Sequence, residues 1–113
     1  MNRRQEMLVA LQNLDIMIRE VRAGHEQELG FKVEKLDQLL ESRRRLAEQI
    51  DERDLHTYER VARRYDYVSA VVPVRDKICL GCFMGLPTSA MRIGPEGDHL
   101  LICENCGRIL YWI

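Results

Sequence analysis

The polar–apolar pattern of the chain changes its period once. From about Gln5 to Tyr65 there is no proline, and Leu, Glu, Arg and Gln dominate, a composition that favours helix. Met7, Leu11, Leu14, Ile18 and Val21 step by four, three, four and three, the spacing of a heptad-type seam. Val9 and Ile16 lie on the opposite side of that helix and point to a third surface. A second seam follows at Leu36, Leu39, Leu40, Leu46, Ala47, Ile50, Tyr58, Val61, Tyr65 and Val68.

Gly24 and Gly30 separate the seams. Each costs a helix about 1 kcal/mol relative to alanine, so a turn there is favoured and with it an antiparallel two-helix coiled-coil hairpin. The apolar phase also runs on through Val21, His25, Leu29 and Leu36, so one helix of about sixty residues is the alternative. His25 reads as a solvated or turn residue. Arg43 and Asp54 interrupt the second seam. Antiparallel register sets Arg43 near Leu14 and Asp15, and Asp54 near Arg3 and Arg4, where each charge meets its opposite. The competing expectation is that both side chains reach past the seam into water.

In the hairpin, helix one spans about 24 residues (about 36 Å) and helix two about 35 residues (about 52 Å). The overrunning end of helix two carries Tyr58, Val61, Tyr65 and Val68. That surface needs a cover: the C-terminal domain, another chain or a binding partner. The basic clusters Arg43-Arg44-Arg45 and Arg60 with Arg63-Arg64 fan out around the helix axis. Glu41, Glu48 and Glu59 offer them i,i+3 or i,i+4 pairing, which reads as a solvated helix face.

The pattern changes at Val68-Ser-Ala-Val-Val-Pro-Val74, a β-branched run whose Pro73 marks an edge strand or an extended linker. A domain boundary is expected here, with helices over 1–69 and a small β domain over 70–113. Met91-Arg92-Ile93 and His99-Leu-Leu-Ile102 flank Gly94-Pro-Glu-Gly-Asp98, a hairpin signal, and Arg108–Ile113 supplies a third strand. The fold class expected is α plus small β, with a three-stranded antiparallel C-terminal ribbon.

Composition narrows the function. The 113 residues carry 17 basic and 18 acidic side chains, with two Phe, one Trp and four Tyr, so a large globular core is not expected. Residues 1–73 hold 13 basic and 14 acidic groups, and residues 74–113 hold four of each. Nucleic-acid binders usually carry a basic excess, and this balance counts against strong nonspecific binding. No apolar run approaches the ~18 residues of a membrane span.

All four cysteines lie in two Cys-x-x-Cys turns, Cys79-Leu-Gly-Cys82 and Cys103-Glu-Asn-Cys106, with twenty residues between them. A two-residue spacer aims both sulfurs at one ion, and the interval is long enough to return the second pair to the first. Four thiolates complete a tetrahedron and leave no open position for a substrate, so one structural Zn2+ on Cys79, Cys82, Cys103 and Cys106 is expected. Two disulfides would need an oxidising compartment, and Met-Asn-Arg-Arg-Gln-Glu leads into no apolar secretory segment, which points to the cytoplasm. A redox pair would need a βαβ setting. A single rubredoxin-like iron is the other metal that this spacing suits. The ribbon has too few residues for its own core, so the metal supplies most of its folding free energy, on the order of 10 kcal/mol.

At Tyr58-Glu59-Arg60, Cys79-Leu-Gly-Cys82, Leu86-Pro87 and Cys103-Glu-Asn-Cys106-Gly-Arg-Ile-Leu-Tyr-Trp112 the sequence resembles a bacterial family described from Helicobacter and Chlamydia. Its members have a long N-terminal coiled-coil hairpin and a C-terminal C4-type zinc ribbon. The resemblance covers about residues 54–113 and implies that the four cysteines are zinc ligands. It also implies a non-enzymatic adaptor associated with flagellar biogenesis, the nitrogen-type sigma factor, secretion or export components and, in one branch, messenger RNA. The family's coil is over twice as long as the roughly 65 residues here. Where relatives carry a proline before Tyr-Glu-Arg this chain reads Arg53-Asp54-Leu55-His56, so helix two is expected to run through.

The function expected is therefore a cytoplasmic module for protein–protein interaction, with a homodimer also open. Tyr58, Val61 and Tyr65 on helix two, and Phe83, Met84, Arg92, Arg108, Tyr111 and Trp112 on the ribbon, are the candidate partner-binding residues. For Tyr111 and Trp112, packing on the small sheet competes with that role. RNA or DNA binding through the ribbon and the helix-two arginines is the alternative. The three histidines show no metal or catalytic spacing, and Ser42, Ser69 and Ser89 have no identifiable base partners, so enzymatic activity is not expected.

Overall fold

The structure, a computed structural model, describes residues 3–24, 29–87 and 100–112. Helices α1 (Arg3–Ala23) and α2 (Leu29–Gln49) form the hairpin, and α1 closes with the Gly24 N–H on the Val21 carbonyl (3.3 Å). The single rod is thereby excluded. The two charges that interrupt the seam tie α1 to α2 and to α3. Arg43 Nε donates to Asp15 Oδ1 at 2.6 Å, and Arg4 grips Asp54 with Nε and Nη2 at 2.7 and 2.6 Å. Both intruding charges thus meet their opposites instead of reaching into water. Asp15 and Asp54 are buried, so each needs its cation: a buried carboxylate without a partner is strongly destabilising.

Helix two does not run through. It ends at Gln49, Ile50 turns inward into the core, and α3 (Glu52–Arg64) starts afresh on Asp51. The Asp51 carboxylate accepts the Arg53 N–H at 2.9 Å, an N-cap that competes with continued helix. Glu52 and Asp54 in the first turn and Arg63 and Arg64 in the last complement the helix dipole. The break turns α3 back against α1, where Tyr58, Val61 and Ala62 pack with Leu8 and Leu11.

Four short strands follow: β1 (Val71–Arg75), β2 (Ile78–Cys79), β3 (Leu101–Ile102) and β4 (Ile109–Trp112), in spatial order β2-β1-β4-β3. The class is α plus small β, as expected, but the sheet is mixed. β1 runs parallel to β4 with Val71 opposite Ile109 and Val74 opposite Trp112, while the outer pairs are antiparallel. Asp76 and Lys77, both at positive φ (52° and 64°), make the two-residue turn between β1 and β2. The expected strand at Met91–Ile93, and Arg92 with it, lies outside the described residues.

Pro73 is accommodated inside the sheet because successive residues of β1 face opposite sides. The Ala70 carbonyl accepts from Ile109 on the β4 side, whereas the Pro73 carbonyl accepts from Leu80 on the β2 side. The missing N–H of Pro73 therefore costs no bond to β4. On the same side, Val71 is held by one side chain. The Gln12 amide donates to the Val71 carbonyl (2.8 Å) and accepts its N–H (2.7 Å).

The sheet separates two apolar clusters. Val71, Ile109 and Tyr111 face the helices and join Leu8, Leu11, Ile50, Tyr58 and Val61. Val72, Val74, Leu110 and Trp112 face the other way and surround the cysteines. Residues on both sides of position 70 thus share one core. No helix among the described residues is long and apolar enough to cross a membrane.

Candidate metal centre

The four cysteines converge. Their sulfurs all lie within 4.8 Å of one another, and the pairs across the two turns, Cys79–Cys106 and Cys82–Cys103, stand 3.8 and 3.7 Å apart. A disulfide requires about 2.05 Å. A tetrahedral tetrathiolate centre with bonds of about 2.3 Å has sulfur–sulfur edges of about 3.8 Å. The donor set therefore fits one tetrahedral metal ion, held by Cys79, Cys82, Cys103 and Cys106.

Each pair sits on a turn of the same construction. In Cys79–Met84, the Cys79 N–H donates to the Met84 carbonyl (3.0 Å) and the Phe83 N–H to the Cys79 carbonyl (2.7 Å). In Cys103–Arg108, the Cys103 N–H donates to the Arg108 carbonyl (2.9 Å) and the Gly107 N–H to the Cys103 carbonyl (2.8 Å). Both turns need a left-handed residue just after the second cysteine: Phe83 has φ 63° and Gly107 has φ 79°. Glycine takes that conformation without penalty; an aromatic side chain there is strained.

Burial pushes the Cys79 thiol up to about 12 and also raises Cys103. Hydrogen bonds from the Asn105 side chain and the Met84 backbone hold Cys82 down at about 6. The Gly81 N–H lies 3.4 Å from the Cys79 sulfur. Donors of this kind stabilise thiolates and so favour metal binding over protonation.

The candidate partner residues divide. Tyr58 is 0% exposed and Val61 is buried, so neither offers a surface; this corrects their reading as partner contacts. The C-terminal sheet, one of the three expected covers, packs on Tyr58, Val61 and Tyr65 together with α1, which was not among those expected, while Val68 stays exposed. Tyr58 instead donates its hydroxyl to Asp15 (2.6 Å), completing a network in which Arg43 also binds Glu59 (2.6 Å). Tyr65 is half-buried and donates its hydroxyl to the Cys106 carbonyl, and the Arg108 guanidinium stands 3.9 Å over its ring. Tyr111 and Trp112 are half-buried on opposite faces of the sheet. Phe83, Met84 and Ile78 are exposed to 71, 52 and 38% on one hairpin.

Sequence patterning missed Gln12, the Asp15–Tyr58 bond and the packing of Arg108 on Tyr65. A signal existed for the first two. Gln5, Leu8, Gln12 and Asp15 recur at three- and four-residue steps, a buried stripe in which three of the four residues are polar.

No family model and no curated protein matches the chain. Two solved structures do. CT398 from Chlamydia trachomatis superposes with a TM-score of 0.65 at 34% identity, over 73% of this chain and 34% of that one. The HP0958 protein from Helicobacter pylori superposes with a TM-score of 0.65 at 24% identity, over 74% of this chain and 35% of that one, a likeness of fold. This chain spans about a third of the length of each.

Proposed function

We propose that the chain is a C4-type zinc-ribbon protein of the kind its motifs resemble, carrying one structural Zn2+. On this reading it is a non-enzymatic cytoplasmic adaptor for protein partners in transcription, flagellar or secretion-related regulation. Zinc is favoured because four thiolates form a closed tetrahedral set that suits a redox-inert structural ion.

One observation carries the adaptor reading. The first metal-holding turn presents Phe83, Met84 and Ile78 to solvent, and Phe83 does so from a strained backbone that glycine would occupy more easily. Strain kept at an apolar position that is 71% exposed among the described residues supports a contact outside the chain. A cleft of about 720 Å³ beside α1 is consistent with the non-enzymatic reading. Two of its three carboxylates among the described residues, Asp15 and Glu59, are engaged by Arg43, Tyr58 and Tyr67, and the third is Asp66.

The arginine triplet does not favour the nucleic-acid alternative. Arg43 is bound to Asp15 and Glu59, Arg44 to Glu41 and Glu48, and Arg45 to Glu41. Arg44 and Arg45 hold the Glu41 carboxyl down at about 2. The test is capture from native cytoplasm by wild type and by a Phe83→Ser, Met84→Ser double variant, with and without RNase. The expected result is a protein partner that survives RNase and is lost in the double variant while zinc content stays at one ion. Capture abolished by RNase, or unchanged in the variant, overturns the reading.

A further inference from the structure

Arg108 closes the second metal-holding turn but lies against the first. Its side chain packs on Gly81 so closely that a β-carbon built there would sit 2.7 Å from Cδ and 3.1 Å from Nε and Nη1. The guanidinium rests over Tyr65, and Nε and Nη2 donate to the Ser69 carbonyl (2.8 Å) and hydroxyl (3.4 Å). Tyr65 returns to the second turn through the Cys106 carbonyl. A second guanidinium, that of Arg64, lies 5.8 Å from the same ring and places Nη1 3.1 Å from the β-carbon position of Gly107. Each turn is therefore approached by one guanidinium at its glycine, where no side chain stands in the way.

Four thiolates around a divalent ion carry two net negative charges, and nearby cations offset them. We infer that Arg108, seated on Tyr65, is a positioning residue for the metal centre: it fixes the two turns relative to each other and, with Arg64, balances the charge of the tetrathiolate. The inference rests on the zinc reading above. It makes the last turn of α3 part of the metal site's surroundings. By linkage, whatever strengthens ion binding through Tyr65 and Arg108 is itself strengthened by the ion.

The test measures zinc affinity of the full chain by competition with a chelating dye, at low and high salt. The variants are Arg108→Met, Arg108→Lys and Tyr65→Phe. Outer-shell partners of metal sites typically alter affinity by about 10–100-fold, and Arg108→Met is expected in that range. Arg108→Lys keeps the charge but loses the stack and the paired donors, so it recovers part of the loss. Tyr65→Phe weakens binding less than Arg108→Met, because only the hydroxyl is removed. A charge role also narrows the gap between wild type and Arg108→Met as salt rises, which a purely structural role would not do. Affinities within about twofold of wild type in both Arg108 variants, or a gap indifferent to salt, overturn the inference. If Arg108→Met does not fold, Arg108→Lys and Tyr65→Phe decide: both weaker supports the inference, both unchanged overturns it. Absence of zinc binding by wild type would overturn the zinc reading instead.

Discussion

The turns Cys79–Met84 and Cys103–Arg108 share two hydrogen bonds position for position, yet one places a phenylalanine exposed to 71% where the other has a glycine beside a guanidinium. Metal binding alone does not require the difference, since both turns present two sulfurs to the same point. The difference comes from what lies outside. The second turn faces α3: Arg64 fills the space that a side chain at position 107 would take, and Tyr65 bonds the neighbouring Cys106 carbonyl. The first turn faces solvent and uses the equivalent position to display an apolar group. One turn packs its left-handed residue against α3, and the other leaves it exposed.

Removing the metal is the harshest way to break this comparison, because both turns lose their common centre. Cys82→Ser and Cys103→Ser, or a strong chelator, are each expected to remove on the order of 10 kcal/mol and unfold residues 75–112. Helix content falls only partly. The α1–α2 hairpin keeps its Arg43–Asp15 pair, but α3 loses the cover of Ile109. NMR amide dispersion with and without zinc checks the first statement, and circular dichroism checks the second. Asp15→Ala comes next, at about 3–5 kcal/mol, because it strips Arg43 and Tyr58 of a buried partner. It loosens the second turn through α3 more than the first, which hydrogen-exchange protection of Gly107 against Phe83 would show.

Exchanging the two left-handed residues sharpens the contrast at a smaller scale. Gly107→Phe places a β-carbon 3.1 Å from Arg64 at φ 79° and is expected to cost about 1–2 kcal/mol. Phe83→Gly relieves the strain at φ 63° and is expected to gain about 0.5–1 kcal/mol after the extra chain entropy of glycine. Chemical denaturation of zinc-loaded protein distinguishes the signs; a loss of stability in Phe83→Gly would contradict the display role of that side chain. The mildest test is pH. Burial first, and then the bond to Asp15, raise Tyr58 above the ordinary phenol range. The folded state therefore holds its proton more tightly than the unfolded state. That stability is complete below about pH 10 and declines as pH rises further, an effect that Tyr58→Phe removes.

The cysteine site was legible because its spacing is set by coordination chemistry, which does not depend on the rest of the fold. The partners of Arg43 and Asp54 were half legible: antiparallel register matched both charges, but long side chains on a seam can equally reach into water, and the sequence left both open. The break at Ile50–Asp51 was written in the Asp51 cap but obscured by the helix-favouring residues on either side. The parallel pairing of β1 with β4 joins residues 38 apart, Val71 and Ile109, and no local pattern encodes such a contact. Tyr58 and Val61 looked like surface because the seam was read on a straight helix. The break reorients them into the core.

Gln12 has a consequence beyond its two bonds. β2 pairs only with Val74 and Arg75, so the first residue of β1 would otherwise present a bare N–H and carbonyl along a valine-rich margin. Such margins recruit strands from other molecules. With its carboxamide there, α1 serves as a one-residue neighbouring strand, so the backbone groups of Val71 are satisfied by a glutamine 59 positions away in sequence and are not offered to another molecule's strand.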